Sequence, residues 1–381
     1  MFSMIIKNAN VYTEDGRFPV KDIYIEDDCF VDCEQKVSDK KQIDGAGCYA
    51  IPGLTDIHFH GCVGHDFCDG SIEAIDAMAV YEASVGVTGI VPATMTLGED
   101  TLLEICSTAK AYRKKETQKN RARLFGINME GPFVAQGKKG AQNGKYIREP
   151  DVAMFDRLNE ASGNMVKLIA IAPEVNGAMD FIEKKHKEVV ISLAHTAADY
   201  DAALCAFERG ANHVTHLYNA MNPYTHREPG LVGAAADTHK VEVELICDGV
   251  HIHPAAVRTT FKMFGDDRII LISDSMRATG LDDGTYSLGG QAVKVVGNLA
   301  TLEDGTIAGS VTNLMDCLRM AVLKMGIPLE SAVKCAAVNP AKSVGIYDCC
   351  GSITPLKKAN VVLLKKDNLA LKQVIVEGQL L

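Results

Sequence analysis

Two histidines one residue apart, His58 and His60, follow the apolar run Ile51-Pro52-Gly53-Leu54-Thr55-Asp56-Ile57. Side chains on a β-strand alternate between faces, so both imidazoles point the same way and can reach one metal ion. The pair alone is a modest signal, because His-x-His also arises by chance in strands. Further along, other apolar runs end in residues of the same kind: Glu130 before Gly131-Pro132, then His195, His216 and Asp274. Four imidazoles and two carboxylates converging on one place suit zinc, iron or manganese, and Glu130 is able to bridge two ions. Asp274 ends the run Ile269-Ile270-Leu271-Ile272-Ser273. A carboxylate beside a metal-bound water can take its proton and later deliver it to a leaving group, which is hydrolase chemistry. Its plainer uses are as a helix cap or as one more ligand.

Such residues need a scaffold that brings strand ends together. Strands are expected at 51–58, 88–93, 123–129, 166–171, 189–194, 212–217, 241–247 and 269–273, with helices at 71–85, 100–119, 177–187, 199–209, 254–264 and 311–325. Eight alternations, with runs too apolar for half-exposed antiparallel strands, predict a (β/α)8 TIM-like barrel. Chemistry gathers at the C-terminal ends of the strands in that fold, where all six residues fall. Residues 4–12 and 20–34, joined by the turn-prone Glu14-Asp15-Gly16, also read as β, as do 359–364 and 374–378. Strands with open edges and an uncovered apolar face are unstable alone, so both ends of the chain should meet in one small β-sandwich domain. The expected division is 1–50, a catalytic barrel over 51–346, and 347–381. The Gly- and Asp-rich stretch 281–302, followed by Asp304 to Ser310, reads as a hairpin flap over the site. Ile307, Ala308 and Gly309 are its candidate ligand contacts; an ordinary turn before the helix at 311 would equally suit Gly309.

Composition sets limits on partners. The 381 residues are 47% hydrophobic and 23% charged, ordinary for a soluble globular chain. A net charge of -10 argues against a nucleic-acid or anionic-membrane surface, which needs clustered Lys and Arg. An anionic substrate must then be held by local cations. No apolar stretch approaches the ~20 residues that span a bilayer. The N-terminus lacks the apolar run and small-residue cleavage site of a signal peptide, so the twelve cysteines are expected to be reduced and the protein cytoplasmic. Cys62, His65 and Cys68 have roughly zinc-like spacing, but in a Gly-containing loop with no second pair they read as structural. Cys349 and Cys350 are no more informative.

The motifs PGLTDIHFHG, NMEGPF, SLAHT, THLYNAM, CDGVHIHP, ISDSMRATG and TIAGS together resemble the amidohydrolase superfamily over nearly the whole chain. Within it they are similar to the branch that deacetylates N-acetylglucosamine 6-phosphate. The resemblance implies that Glu130, His195 and His216 hold the main metal and that His58 and His60 add a second site, for one or two divalent ions. Many amidohydrolases bridge their metals with a carboxylated lysine at the end of strand four; that end here reads Ile-Ala-Ile-Ala-Pro-Glu, and Glu130 would take the bridging place. The resemblance further implies contacts to the sugar phosphate from Asn219 and Ala220. Arg227 and His251 would bind the phosphate, with Arg227 reaching into the neighbouring subunit of a homodimer. The planar guanidinium fork matches phosphate oxygens, although the loop alone would suggest a solvated or Glu228-paired charge. Ala141 and Gln142 are further candidates for substrate binding. The branch often has histidine where Gln142 stands; Gln can donate a hydrogen bond to a sugar or acetyl oxygen but cannot be a cation.

The implied reaction is metal-assisted hydrolysis of the acetamide of N-acetylglucosamine 6-phosphate to glucosamine 6-phosphate and acetate, with Asp274 as base and then acid. Competing readings are another amidohydrolase activity, on a different phosphorylated N-acyl sugar, a cyclic amide or a phosphoester, and a catalytically silent metal-binding scaffold. Loss of ligands or of Asp274 would mark the scaffold, and neither is lost.

Overall fold

The first strands of the chain build a sheet whose remaining edge waits for the last ones. In the computed structural model, which describes residues 3–39, 41–115 and 120–381, β1 (Ser3–Val11) pairs with β2 (Val20–Glu26), and β2 with β3 (Cys29–Val31). The expected run 20–34 is therefore a hairpin, broken at Asp27 with φ 54°. β4 (Gln42–Asp44) and β5 (Cys48–Pro52) both pair with β1 in parallel.

Gly53 then carries the chain out of this sheet and into a barrel. A Cβ on Gly53 would lie 2.2 Å from Thr88 Oγ1, so the crossing has room only for glycine. The expected strand 51–58 is thus divided between β5 and the first barrel strand, β6 (Leu54–Asp56). A small hairpin of β7 (Gly61–Cys62) and β8 (His65–Asp66) follows. Next come α1 (Ile72–Ser84), β9 (Val87–Ile90) and α2 (Glu99–Lys115); positions 116–119 of the expected helix lie outside the described residues. The third barrel strand is split by Phe125-Gly126 into β10 (Arg123–Leu124), which pairs with β9, and β11 (Ile127–Phe133), which pairs with β12 (Val166–Ile171). Between β11 and β12 lies α3 (Val152–Ser162). The chain continues through α4 (Ala178–Lys185), β13 (Val190–Leu193), α5 (Tyr200–Glu208), β14 (His213–Val214), α6 (Gly230–Asp237), β15 (Glu242–Ile246), α7 (Pro254–Phe264) and β16 (Ile269–Ile272).

β11 to β16 are parallel neighbours in chain order, as are β6, β9 and β10. Asp274 N donates to the His58 carbonyl at 2.9 Å and Ser273 Oγ donates to buried Asp56 at 2.5 Å, which closes the ring between its last and first strands. Side chains alternate as a barrel requires. Ile270, Ile272 and Ile246 pack inward with Leu168, whereas Ile269, Leu271, Val243 and Leu245 face the helical layer. Helices start where a side chain caps the free amides: Ser71 for α1, Asp151 for α3 and Asp199 for α5. α3 and α6 were not expected. Long loops part both from their strands, and α6, reading Gly-Leu-Val-Gly-Ala-Ala-Ala-Asp, has almost no polar face to betray a helical period.

After β16 the stretch expected as a flap forms an antiparallel sheet of β17 (Gly284–Leu288), β18 (Gln291–Val296) and β19 (Leu299–Thr301). Its core of Leu288, Val293, Val295 and Ala300 packs on Met95 and Met276. Then α8 (Leu314–Leu323), α9 (Leu329–Val333), one π turn over Lys334–Val338 and α10 (Asn339–Ser343) lead across the base of the barrel, where Ala341 and Val344 join the interior cluster.

The chain ends in β20 (Val361–Lys365), β21 (Leu371–Val376) and β22 (Gln379–Leu380); β20 pairs with β5 and completes the first sheet as a small β-sandwich. This sheet is apolar on both faces. Val361, Leu363 and Ile375 enter its own core with Ile6, Ile25 and Phe30, while Val362, Leu364, Val374 and Val376 join the core of the barrel. Among the described residues, no helix is long and apolar enough to cross a membrane.

One residue of α1 is at odds with its surroundings. Glu82 is fully buried and neither of its carboxylate oxygens has a hydrogen-bond partner. Burial, reinforced by the negative charge of Asp56, holds its pKa well above the ordinary 4.5. The folded chain therefore keeps a proton that the unfolded chain releases above pH ~4.5, so stability falls as pH rises from there towards the folded pKa. Glu82→Gln removes this dependence. Thermal unfolding should show the two proteins nearly matched at pH 4 and the variant more stable at pH 8 by about 1 kcal/mol or more, since each tenfold weakening of the acid on folding is worth ~1.4 kcal/mol.

Candidate metal centre and active site

Five of the six candidate residues lie just beyond the C-terminal ends of barrel strands and Glu130 lies within β11, and the fold brings all of them together. Three occupy the left-handed region, at φ 45° for His195, 29° for His216 and 48° for Asp274. Such backbone costs a non-glycine residue on the order of 1–3 kcal/mol and persists where its surroundings overdetermine it. Here it bends the side chains over the mouth of the barrel.

Glu130 stands at the middle. Its Oε1 lies 2.9 Å from His195 Nε2, 3.0 Å from His216 Nε2 and 3.5 Å from His58 Nε2; its Oε2 lies 3.1 Å from His60 Nε2. Asp274 Oδ1 is 3.4 Å from His60 Nε2 and 3.8 Å from His58 Nε2. Two sets of donors result, Glu130 with His195 and His216, and His58 with His60 and Asp274, all buried. The two Nε2 atoms of His195 and His216 are 3.2 Å apart, close to the about 3.4 Å edge of a tetrahedron drawn around an ion with bonds of ~2.1 Å. His58 Nε2 is buried without a hydrogen-bond partner, an uncommon state unless an ion takes the place of one. The donor types and this orphaned atom fit divalent cations. The Lys138 carbonyl, 2.9 Å from His195 Nδ1, can only accept, so it fixes the proton there and leaves Nε2 facing the centre.

The charges are interlocked. Burial works against a charge on His58, yet Glu244 and Glu130 outweigh it and hold the pKa well above that of free imidazole; for His60, Asp274 and Glu130 outweigh burial and bring it to about 10. Burial would likewise raise Glu130 and Asp274, but the histidines hold Glu130 well below the usual carboxylate range and lower Asp274 as well. Asp274 is thus an ionised carboxylate at neutral pH.

A cavity of about 300 Å³ opens over this centre. Ala141, Gln142, Asn219, Ala220, His251, Ile307 and Gly309 line it, and Gly140, Met95, Leu288 and Thr306 do so too. Three of the candidates have other surroundings. Ala308 is fully buried among the apolar residues of the flap and does not line the cavity. Gln142 does not present a free amide to a ligand: its Oε1 accepts from Thr96 N at 2.7 Å and its Nε2 donates to Glu130 Oε2 at 2.6 Å. Arg227 is exposed on a loop and lines a separate cleft with Asp199, Tyr200 and Glu228. Among the residues lining the main cavity there is no Lys or Arg. His251 lines it beside the centre: burial opposes a charge on its ring, but Asp248 Oδ2, 2.7 Å from Nδ1, outweighs burial and raises its pKa. Gly309 has φ 64°, and a Cβ there would come within 3.0 Å of the Asp274 carbonyl, so a close approach to Asp274 demands this glycine. Cys62 and Cys68 form no ligand group with His65: Cys62 is buried in the core and Cys68 Sγ accepts from Met95 N.

Sequence reading missed Glu244, whose oxygens meet His58, His213 and the backbone of His216. The available signal was a carboxylate two residues from Ile246, and so on the same inward face of β15.

A centre of this kind at the mouth of a parallel barrel is that of a metal-assisted hydrolase. Residues 49–381 match the amidohydrolase family, and the chain belongs to that family. It is similar to the N-acetylglucosamine-6-phosphate deacetylase of Bacillus subtilis (strain 168), with 37% identity over 319 residues that cover 83% of this chain and 81% of that one. It is also 34% identical over 335 residues to the N-acetylgalactosamine-6-phosphate deacetylase of Escherichia coli O157:H7, covering 86% of each. Among solved structures, an Asp-to-Ala variant of Mycobacterium smegmatis N-acetyl-D-glucosamine-6-phosphate deacetylase, in complex with N-acetyl-D-glucosamine-6-phosphate, matches with a TM-score of 0.90. That match is 31% identical and covers 100% of this chain and 99% of the other.

Removing the Gln142 amide tests how far the centre depends on a held Glu130. Gln142→Ala should weaken retention of the ion by about tenfold, the lower end of the usual cost of losing a ligand's hydrogen-bond partner. Competition with a chelator measures it, and an unchanged circular dichroism spectrum shows that the fold is kept.

Proposed function

We propose that this protein is a metal-dependent deacetylase that hydrolyses the acetamide of N-acetyl-D-glucosamine 6-phosphate to D-glucosamine 6-phosphate and acetate, a step of amino-sugar breakdown. The observation that carries the reading is a pair of buried ligand sets joined through Glu130, which belongs to one and lies 3.1 Å from His60 of the other, beside an ionised Asp274, in a chain whose full length matches a substrate-bound deacetylase. Glu130, His195 and His216 would hold one divalent ion, and His58, His60 and Asp274 with the other oxygen of Glu130 a second; zinc, iron and manganese all suit these ligands. Such an ion supplies a water acidified towards a pKa of ~7 and an electrophile for the acetyl carbonyl.

Asp274 takes the proton of the attacking water and returns it to the sugar nitrogen, because an amine leaves readily only when protonated. Gln142 keeps Glu130 in place. His251 meets the phosphate as an imidazolium. Asn219 and the backbone at Ala220 orient the sugar, Ala141 lies beside it, and Ile307 and Gly309 close the flap side against water.

Acetate release from N-acetylglucosamine 6-phosphate, compared in metal-stripped and metal-restored protein, is the direct test. Turnover should require the metal, and Asp274→Asn should lower kcat by about 10²- to 10⁴-fold. The unphosphorylated sugar should be a far poorer substrate. N-acetylgalactosamine 6-phosphate belongs in the panel because a 34% identical relative is a deacetylase of that epimer. Equal turnover without the phosphate would leave a hydrolase and remove this substrate.

One imidazolium is a weak hold for a dianion. The reading therefore includes a homodimer in which the exposed Arg227 of a second copy reaches the phosphate, and a cytoplasmic location, which suits twelve free thiols. Arg227→Ala should raise KM by about tenfold or more with little change in kcat, as loss of a charged phosphate contact does. Light scattering gives the assembly size, and a monomer whose variant keeps full affinity would rule the arrangement out.

A further inference from the structure

Beneath the centre lies a second buried carboxylate that the chemistry above does not use. Glu244, on β15, is fully buried inside the barrel. Its Oε2 lies 2.9 Å from His58 Nδ1 and accepts from His216 N at 3.2 Å, and its Oε1 lies 3.0 Å from His213 Nε2. One side chain thus ties together the first, sixth and seventh barrel strands and touches a residue of each proposed ion site. We infer that Glu244, held by His213, is a positioning residue that selects the second ion at His58, and so makes the centre binuclear.

The argument is one of donors and acceptors. An ionised carboxylate can only accept, so its bond to His58 holds a proton on Nδ1 and makes Nε2 the nitrogen that can release its proton and serve as donor to an ion. Nε2 is the atom that faces Glu130 and Asp274 and has no hydrogen-bond partner. Outer carboxylates of this kind both orient a ligand imidazole and make it a stronger donor. His213 is itself fully buried; it donates to the other oxygen, and its Nδ1 lies 3.7 Å from Glu242 Oε2. A barrel core has no packing need for such a set, since apolar side chains of the same volume avoid the desolvation of buried charge. Gln at position 244 has the same shape but one oxygen. With its amide nitrogen turned to His58, the imidazole must move its proton to Nε2 and lose the lone pair that an ion needs; with the oxygen turned to His58, the negative charge is still gone.

This inference rests on the reading of His58, His60 and Asp274 as an ion site, and its test is kept apart from turnover. Metal-stripped wild type, Glu244→Gln and, as a benchmark, His58→Gln are titrated with Mn²⁺ and with Zn²⁺ against a chromophoric chelator, and bound metal is counted by mass spectrometry. Wild type should take two ions per chain. Glu244→Gln should keep the first at little-changed affinity and bind the second about 10- to 100-fold more weakly, approaching His58→Gln, while the metal-free forms unfold at similar temperatures. A merely structural role would lower the unfolding temperature and leave the second ion's affinity alone. Equal second-ion affinity in Glu244→Gln and wild type overturns the role of Glu244. A wild type that takes a single ion overturns it together with the binuclear centre. In either case acetate release reports separately on whether the chain is a deacetylase. Should Glu244→Gln fail to fold, Glu244→Asp, which keeps the charge but withdraws it by one methylene, reads the same quantity: a weakened second ion supports the role and an unchanged one overturns it.

Discussion

A carboxylate buried among imidazoles has to be balanced, and Glu130 is balanced from every side. Three histidines meet its Oε1, and His60 and the Gln142 amide meet its Oε2. Taking these groups out of water carries a desolvation cost that only close and complete pairing can offset. The closed ring of strands, the left-handed turns at His195, His216 and Asp274, and the seam where Asp274 N meets the His58 carbonyl all hold five backbone segments within reach of one side chain. Few alternative folds bring so many strand ends so near one point. The same pairing keeps Asp274 ionised and ready to accept a proton.

The electrostatics of the whole chain and of the site run in opposite directions. The protein carries a net charge of -10, and its metal centre is itself rich in carboxylates, yet the proposed substrate is a phosphate. Attraction over long range cannot draw such a ligand in; short-range pairing must hold it. Within the cavity His251 is paired with Asp248, which favours the charged form of its ring. The guanidinium that sequence resemblance called for sits on an outward loop, in a cleft apart from the cavity over the metal centre.

Much of this was legible in the residues. Period and length set out the parallel barrel, since Ile269 to Ile272 and Leu168 to Ile171 are too uniformly apolar to be anything but strands covered on both sides. The ligand residues stood out because polar groups ended such runs. What stayed hidden was whatever depends on distance across the barrel. Gln142 reads as a candidate substrate contact until its amide is seen between Thr96 and Glu130. Glu244 reads as an ordinary charge in Val-Glu-Val-Glu until strand geometry turns it inward beneath His58. Of the helices that were missed, α6 has no polar face, α3 begins well after its strand, and α9 and α10 are only five residues each. Arg227 could be assigned a role by resemblance alone, because nothing local to its loop says which way the loop points.

The small sheet carries a consequence for how the protein is made. β5 hands the chain to the first barrel strand at Gly53, but its partner β20 lies some three hundred residues later and emerges from the ribosome long after it. Until then Ala50 and Ile51 have an unpaired edge, and the barrel face that later receives Val362 and Leu364 is bare. Native pairing here cannot follow the order of synthesis; it has to wait until β20 has been made. Contacts of such long separation close slowly and leave apolar surface open in the meantime. A nascent chain stalled before β20 would be a sticky, chaperone-dependent species even though every ligand of its metal centre had already been made.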